Sequence, residues 1–258
     1  MRKRAMLTAE QLGQYHEDGY VIPGYRLPEQ DLADIRGHHE RLVARYPDFR
    51  NYCPSLLAYD LAFLNYARNP DILDMVEQVL GPNIALWNSS FFAKPARDGY
   101  ETPWHQDGEY WPLRPLATCT VWIAVDAANA ANGCLRVIRG SHKARRLRSH
   151  HTNADPDLTL HQEIDDDQID LAEAVNLELE PGQISLHDVY LTHGSKANRS
   201  EQPRRGMTLR YMPTSTVFDR AFARRLADEK GVSDHTNRTV FLVRGIDESG
   251  ENDFRLRQ

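Results

Sequence analysis

Long apolar runs are missing from this chain: no stretch approaches the ~20 consecutive apolar residues that span a bilayer, so a membrane protein is not expected. Basic residues are in the minority, with 31 Lys and Arg against 37 Asp and Glu and a formal charge of −6. No basic stripe rich enough to track a phosphate backbone is present, which argues against nucleic acid as a partner. Cysteine is scarce. Cys53, Cys119 and Cys134 make an odd number at no zinc-like spacing, the pattern of reduced thiols in a cytoplasm. Arg2-Lys3-Arg4 leads into no apolar segment and reads as a solvated terminus rather than a signal peptide. Internal repeats and low-complexity linkers are also lacking. What remains is a 258-residue chain with 41% hydrophobic residues, enough for one domain with a substantial core.

The pattern of that core changes along the chain. Residues 8–82 read as helical. Thr8 followed by Gln11 is a capping box for a helix that stops at Asp18-Gly19, ahead of a short extended Tyr20-Val21-Ile22-Pro23. Leu27-Pro28-Glu29 opens a second helix with Leu32, Ile35, His39 and Leu42 at helical spacing, and Asn69-Pro70-Asp71 a third with Ile72, Met75, Val76 and Val79. From residue 83 to about 213 the period approaches two, giving expected strands at 84–94, 117–125, 133–138, 174–179, 184–188 and 205–212. Such strands suggest a mainly β, double-sheet jelly roll supported by the helices. Residues 145–170 are polar, with His150-His151 and Asp165-Asp166-Asp167, and fit either an insertion closing over a pocket or a plain surface loop. Beyond this core, 214–258 reads as an extension with a helix at 218–230 and one apolar patch, Val240-Phe241-Leu242-Val243.

Three short patterns carry chemistry: Trp104-His105-Gln106-Asp107, then Leu191-Thr192-His193-Gly194-Ser195, then Pro203-Arg204-Arg205. In an extended segment, residues two apart project to one face, so His105 and Asp107 offer an imidazole and a carboxylate to one point. A second imidazole, from His187 or His193, completes a facial triad, the set that leaves open positions on Fe(II) for a cosubstrate and oxygen. A guanidinium grips a dicarboxylic acid bidentately, and strand alternation turns Arg204 and Arg205 to opposite faces. An isolated His-x-Asp arises by chance in many proteins. Four further histidines, His16, His38, His39 and His235, lie in polar or helical settings and read as surface residues.

The ordered set, together with Ala93-Lys94-Pro95, Thr120-Val121-Trp122, Asn132-Gly133-Cys134-Leu135, Gly140-Ser141-His142-Lys143 and Asn198, resembles the phytanoyl-CoA dioxygenase family of Fe(II)- and 2-oxoglutarate-dependent oxygenases, from about Leu7 to Pro213. The resemblance implies a double-stranded β-helix (jelly roll, cupin-like), iron on His105, Asp107 and His193, and 2-oxoglutarate on Arg204, which follows His193 by the family's spacing. It implies further cosubstrate contacts from Ser195, Trp122, Ser90 and Thr120, and it leaves His187 as a pocket residue. Barrel core is the other reading of Trp122. Related halogenases replace the carboxylate by a small residue; Asp107 is present, so the implied reaction is hydroxylation with molecular oxygen, coupled to decarboxylation of 2-oxoglutarate to succinate. For substrate, Tyr110 and Trp111 with Tyr59, Trp87, Tyr100 and Tyr190 offer aromatic surface, Arg210 shares the face of Arg204 and reaches for an anionic group, and Lys94 is a further candidate whose role is equally well structural. A small polar or amphoteric metabolite is expected, and nothing demands an acyl-CoA. Two other classes use the same fold: a cupin-type metal hydrolase or isomerase, and a non-catalytic small-molecule binding barrel.

Overall fold

The computed structural model describes residues 5–165, 167 and 169–257, so Arg2-Lys3-Arg4 and Asp166 lie outside the described residues. Thr8 caps the helix Ala9–Asp18 through the reciprocal box with Gln11, and Gly19 ends it with φ 84°, a left-handed conformation that only glycine adopts without cost. Helix Glu29–Arg45 buries Leu32, Ile35, His39 and Leu42 along one stripe. Asn69 caps helix Pro70–Leu80, which buries Ile72, Met75 and Val76.

These helices cover one face of a seven-stranded antiparallel sheet. Its strands run in the order Tyr20–Val21, Ile184–Asp188, Cys119–Ala124, Arg204–Pro213, Ile84–Lys94 and Phe241–Arg244, with Tyr52–Cys53 also paired to Ile84–Lys94. A four-stranded sheet, Ala174–Leu177, Leu135–Ile138, His193–Ser195 and Thr102–His105, forms the second layer. Alternation sorts the faces of the large sheet. Val121, Ile123, Leu186, Met207, Leu209 and Tyr211 join Leu32, Ile35, Ile72 and Val76 in the main apolar core, while Thr120, Trp122, His187, Thr208 and Arg210 point the other way, toward the small sheet. The double-sheet jelly roll expected from the sequence is the observed architecture.

Differences from the expected elements have local causes. The strand Thr102–His105 was not anticipated as part of a sheet, since its four residues are too few to reveal a period. Val240-Phe241-Leu242-Val243 is no isolated patch: Phe241–Arg244 adds to the large sheet beside Ile84–Lys94. Between 145 and 165, a short ladder pairs His150–Thr152 with Gln162–Ile164. Among the described residues no helix is long and apolar enough to cross a membrane.

Candidate active site

The two imidazoles meet through strand register. His193 stands directly across from His105 in the small sheet, and cross-strand neighbours share a face. Their ring centroids are 4.2 Å apart. Asp107 joins them differently from the expected extended geometry: Gln106 is extended, but Asp107 begins a 3-10 turn, Asp107–Tyr110. The turn still delivers the carboxylate, with Oδ1 3.6 Å from His105 Nε2 and Oδ2 3.9 Å from His193 Nε2. Donor atoms of all three lie within 4.8 Å of one another, and all three residues are buried.

This set fits a metal. His105 Nδ1 lies 2.8 Å from the Pro103 carbonyl and His193 Nδ1 2.9 Å from the Leu191 carbonyl. A carbonyl only accepts, so each Nδ1 carries the hydrogen and each Nε2 keeps its lone pair. His105 Nε2 is buried and has no hydrogen-bond partner among the described residues. Burial, reinforced by His105, pushes the His193 pKa down to about 3, which keeps the ring neutral. Burial works in the opposite sense on Asp107, but Arg210 and then the two histidines overcome it and hold the carboxyl below its usual range. His187 lies outside the set. Its ring centroid is 5.1 Å from that of His193, and among the described residues neither of its nitrogens has a partner, so no carbonyl there orients it.

The same cavity is lined by Thr120, Trp122, His187, Ser195, Arg204, Thr208 and Arg210. Arg204 is 2% exposed. Its Nε donates to the Gly133 carbonyl at 3.0 Å and its Nη1 to that of Phe92 at 2.9 Å, but no carboxylate among the described residues pairs with it. Burial lowers its pKa to about 10, and a buried guanidinium without a counter-charge is a receptor for an anion. Arg205 faces outward and pairs with Asp126 at 2.8 Å and Glu40 at 3.2 Å, as alternation requires. Asn198 fixes the approach to this strand by donating to the carbonyls of Lys94, Pro95 and Gln202. Gly206 makes room for Trp122: a Cβ there would sit 2.1 Å from the indole. The Thr120 hydroxyl is buried with no partner among the described residues.

Other expected residues sit elsewhere. Ser90 is on the inward strand face, but it does not line the cavity; its hydroxyl accepts from Arg210 Nη1 at 2.7 Å and donates to the Pro54 carbonyl. Lys94 is buried and donates to the Tyr100 carbonyl, a structural use. Trp87 packs on Trp111 in a second apolar cluster rather than at a mouth, and Tyr59 packs at a tilt against Tyr46 and edge-on against Phe49. His39 is no surface residue: it is buried against Phe91, with ring centroids 4.3 Å apart. His235 lines a second cleft beside His105 and Asp107, together with Tyr110, Trp111, Arg210 and residues 159–162 and 231–233. The contribution of the C-terminal extension to this cleft had no sequence signal beyond the single apolar patch that anchors it. Gln106, in contrast, was visible between the ligands. Its side chain bonds Tyr190 O at 2.6 Å, Arg146 O at 3.3 Å and Arg148 N at 2.7 Å, tying the 146–150 segment to the site, and its backbone N–H donates to His150 Nε2.

Comparison with known proteins agrees with this geometry. The family model described as phytanoyl-CoA dioxygenase (PhyH) matches residues 4–206. A probable phytanoyl-CoA dioxygenase of Caenorhabditis elegans is 26% identical over 81% of this chain and 77% of its own length. A 2-aminoethylphosphonate dioxygenase from an uncultured bacterium is 28% identical over 67% of this chain and 60% of its own. Among solved structures, the non-haem monooxygenase ThoJ in its apo form superposes with a TM-score of 0.74 at 25% identity, over 96% of this chain and 88% of that one.

Proposed function

Because this chain belongs to the phytanoyl-CoA dioxygenase family and is a non-haem iron(II)- and 2-oxoglutarate-dependent dioxygenase, we propose that His105, Asp107 and His193 hold its iron, that Arg204 grips the distal carboxylate of 2-oxoglutarate, and that it hydroxylates a small polar or amphoteric molecule. One observation carries the assignment of residues: a single cavity is lined both by the convergent ligand set and by a buried guanidinium lacking a carboxylate partner among the described residues. A zinc or manganese hydrolase would use the three ligands but would leave that guanidinium without a task.

When bound, the iron supplies the redox chemistry that couples decarboxylation of 2-oxoglutarate to oxidation of the substrate. The chain's own contribution is placement and charge. Backbone carbonyls behind both imidazoles fix the tautomer that presents Nε2. Arg210, whose Nη2 lies 3.8 Å from Asp107 Oδ1, keeps that carboxylate ionised and in place. Trp122 forms a flat wall beneath Arg204, whose guanidinium carbon is 5.5 Å from the ring centre, and the Ser195 and Thr120 hydroxyls face the same cavity. In the neighbouring cleft, Tyr110 and Trp111 give the substrate an aromatic wall. A small amphoteric substrate agrees with the relative named for 2-aminoethylphosphonate. The test is succinate release from iron-loaded protein given 2-oxoglutarate, with candidate substrates screened for stimulation. Absence of succinate with every candidate, from protein that binds iron, contradicts the reading.

A further inference from the structure

In the second cleft the hydrogen-bonding sense of the wall is set by one residue. Arg238 is a donor only. Its Nη1 donates to Asn88 Oδ1 and to the Pro54 carbonyl, and its Nη2 donates to His235 Nδ1 at 2.8 Å. The Ser89 backbone N–H also donates to Asn88 Oδ1, at 2.8 Å. An amide atom that receives two N–H groups must be the oxygen, so Asn88 keeps its NH2 free of hydrogen bonds among the described residues. The same reasoning makes His235 Nδ1 an acceptor. A neutral ring then carries its hydrogen on Nε2, which also has no partner among the described residues. Burial, with Arg238 and Arg210 adding to it, pushes the His235 pKa down to about 3, so the ring is neutral near pH 7.

Arg210 supplies the third donor. Its Nε is buried and without a partner among the described residues. Asn88, His235 and Arg210 line the same cleft, and among its lining residues Asp107 is the only acidic one. Asp107 is already committed beside the two histidines and Arg210. Three residues with unpaired N–H groups, from the Ile84–Lys94 strand, the Arg204–Pro213 strand and the C-terminal extension, therefore line one cleft. From these three groups an ammonium gains no hydrogen bond, whereas an oxyanion finds three donors.

We propose that this cleft holds an oxyanionic group of the substrate, a carboxylate or a phosphonate, on the N–H groups of Arg210, Asn88 and His235, and that Arg238 is the positioning residue that turns Asn88 and His235 into donors. The inference deepens the substrate class of the oxygenase site and rests on that reading. The test uses the full chain loaded with nickel(II), which takes the same ligands without oxidising substrate, with and without 2-oxoglutarate. Calorimetric titration compares propylphosphonate and butyrate with neutral butanamide. At least one anion is expected to bind roughly tenfold or more tightly than the amide, the effect of a charge-assisted bond, and the stronger anion identifies the oxyanion. Equal affinities, or no anion binding, overturn the proposal. Asn88→Asp replaces a donor by a like charge with little change of shape, and it is expected to weaken the anion by about tenfold or more; unchanged affinity overturns the donor wall. Arg238→Met is expected to give a mixture of His235 tautomers by nitrogen-15 NMR, with the wild type holding hydrogen on Nε2 alone. A wild-type ring protonated on Nδ1 refutes the positioning role. Failure of nickel-loaded wild type to take up 2-oxoglutarate contradicts the Arg204 reading, whereas uptake without discrimination among the probes contradicts only the oxyanion site.

Discussion

Replacing Arg204 by alanine separates cosubstrate binding from metal binding. Arg204 is 2% exposed and has no carboxylate partner among the described residues, so a 2-oxoglutarate carboxylate in contact with its guanidinium would be a desolvated pair. Removing one member of such a pair costs about 3–5 kcal/mol, a loss of roughly 100- to 3,000-fold in affinity at ~1.4 kcal/mol per factor of ten. The same change strands the carbonyls of Gly133 and Phe92 that accept from Nε and Nη1. Each such loss costs roughly 1–3 kcal/mol of stability, so the variant is expected to melt earlier as well. Calorimetric titration of 2-oxoglutarate into nickel-loaded protein reads the affinity, and nickel binding read separately is expected to stay near that of the wild type. Arg205→Ala is the internal control. Arg205 sits on the opposite face with Asp126 and Glu40, and its loss is expected to leave the affinity unaltered. The reasoning is refuted if Arg205→Ala loses 2-oxoglutarate and Arg204→Ala does not.

Three further outcomes follow from single contacts. Gly206→Ala puts a Cβ 2.1 Å from the Trp122 ring, and overpacking of this kind costs about 1–3 kcal/mol; a lower melting temperature with weakened 2-oxoglutarate binding is expected, and normal values for both contradict the close approach. Gln106→Ala breaks three bonds to residues 146, 148 and 190, so faster amide hydrogen exchange is expected at 146–150 while the sheet stays protected. His39, buried on Phe91, has its pKa lowered to about 4 by burial. The unfolded chain therefore takes up a proton that the folded chain does not between pH ~6.5 and ~4, and stability present above pH ~6.5 is lost across that window by up to ~1.4 kcal/mol per unit. Denaturant titrations of His39→Gln are expected to show a shallower fall with acid, and an identical slope removes His39 from the account.

Much of this architecture was legible because two periods dominate the chain. The Ile84–Lys94 and Ile184–Asp188 strands have the expected bounds, and the capping box at Thr8 and Gln11 forms as read. Alternation also separated Arg204 from Arg205, since one residue of shift reverses a side chain. It failed where backbone geometry changes inside a motif. Asp107 reaches His105 from a 3-10 turn, and no periodicity announces such a turn. Register was equally hidden: that His193 lies across from His105 depends on pairing between segments far apart in sequence. His235 looked like a surface residue because a polar side chain in a loop carries no mark of the guanidinium that packs on it, whereas the burial of His39 was signalled by its place in the stripe of Leu32, Ile35 and Leu42 and was masked only by its polarity. Ser90 was placed on the right strand face, but its hydroxyl is engaged by Arg210, a contact fixed by side-chain reach rather than by spacing.

The ligand set itself is tested most directly by titrating iron(II) anaerobically into wild type, His193→Ala and His187→Ala, then admitting oxygen with 2-oxoglutarate and measuring succinate. Wild type is expected to bind one iron and release succinate. His193→Ala is expected to lose both, because Nε2 of that ring is one of three donors within 4.8 Å of one another, whereas His187→Ala is expected to retain iron. Iron binding and succinate formation that survive in His193→Ala and vanish in His187→Ala would move the second imidazole ligand to His187 and contradict the account.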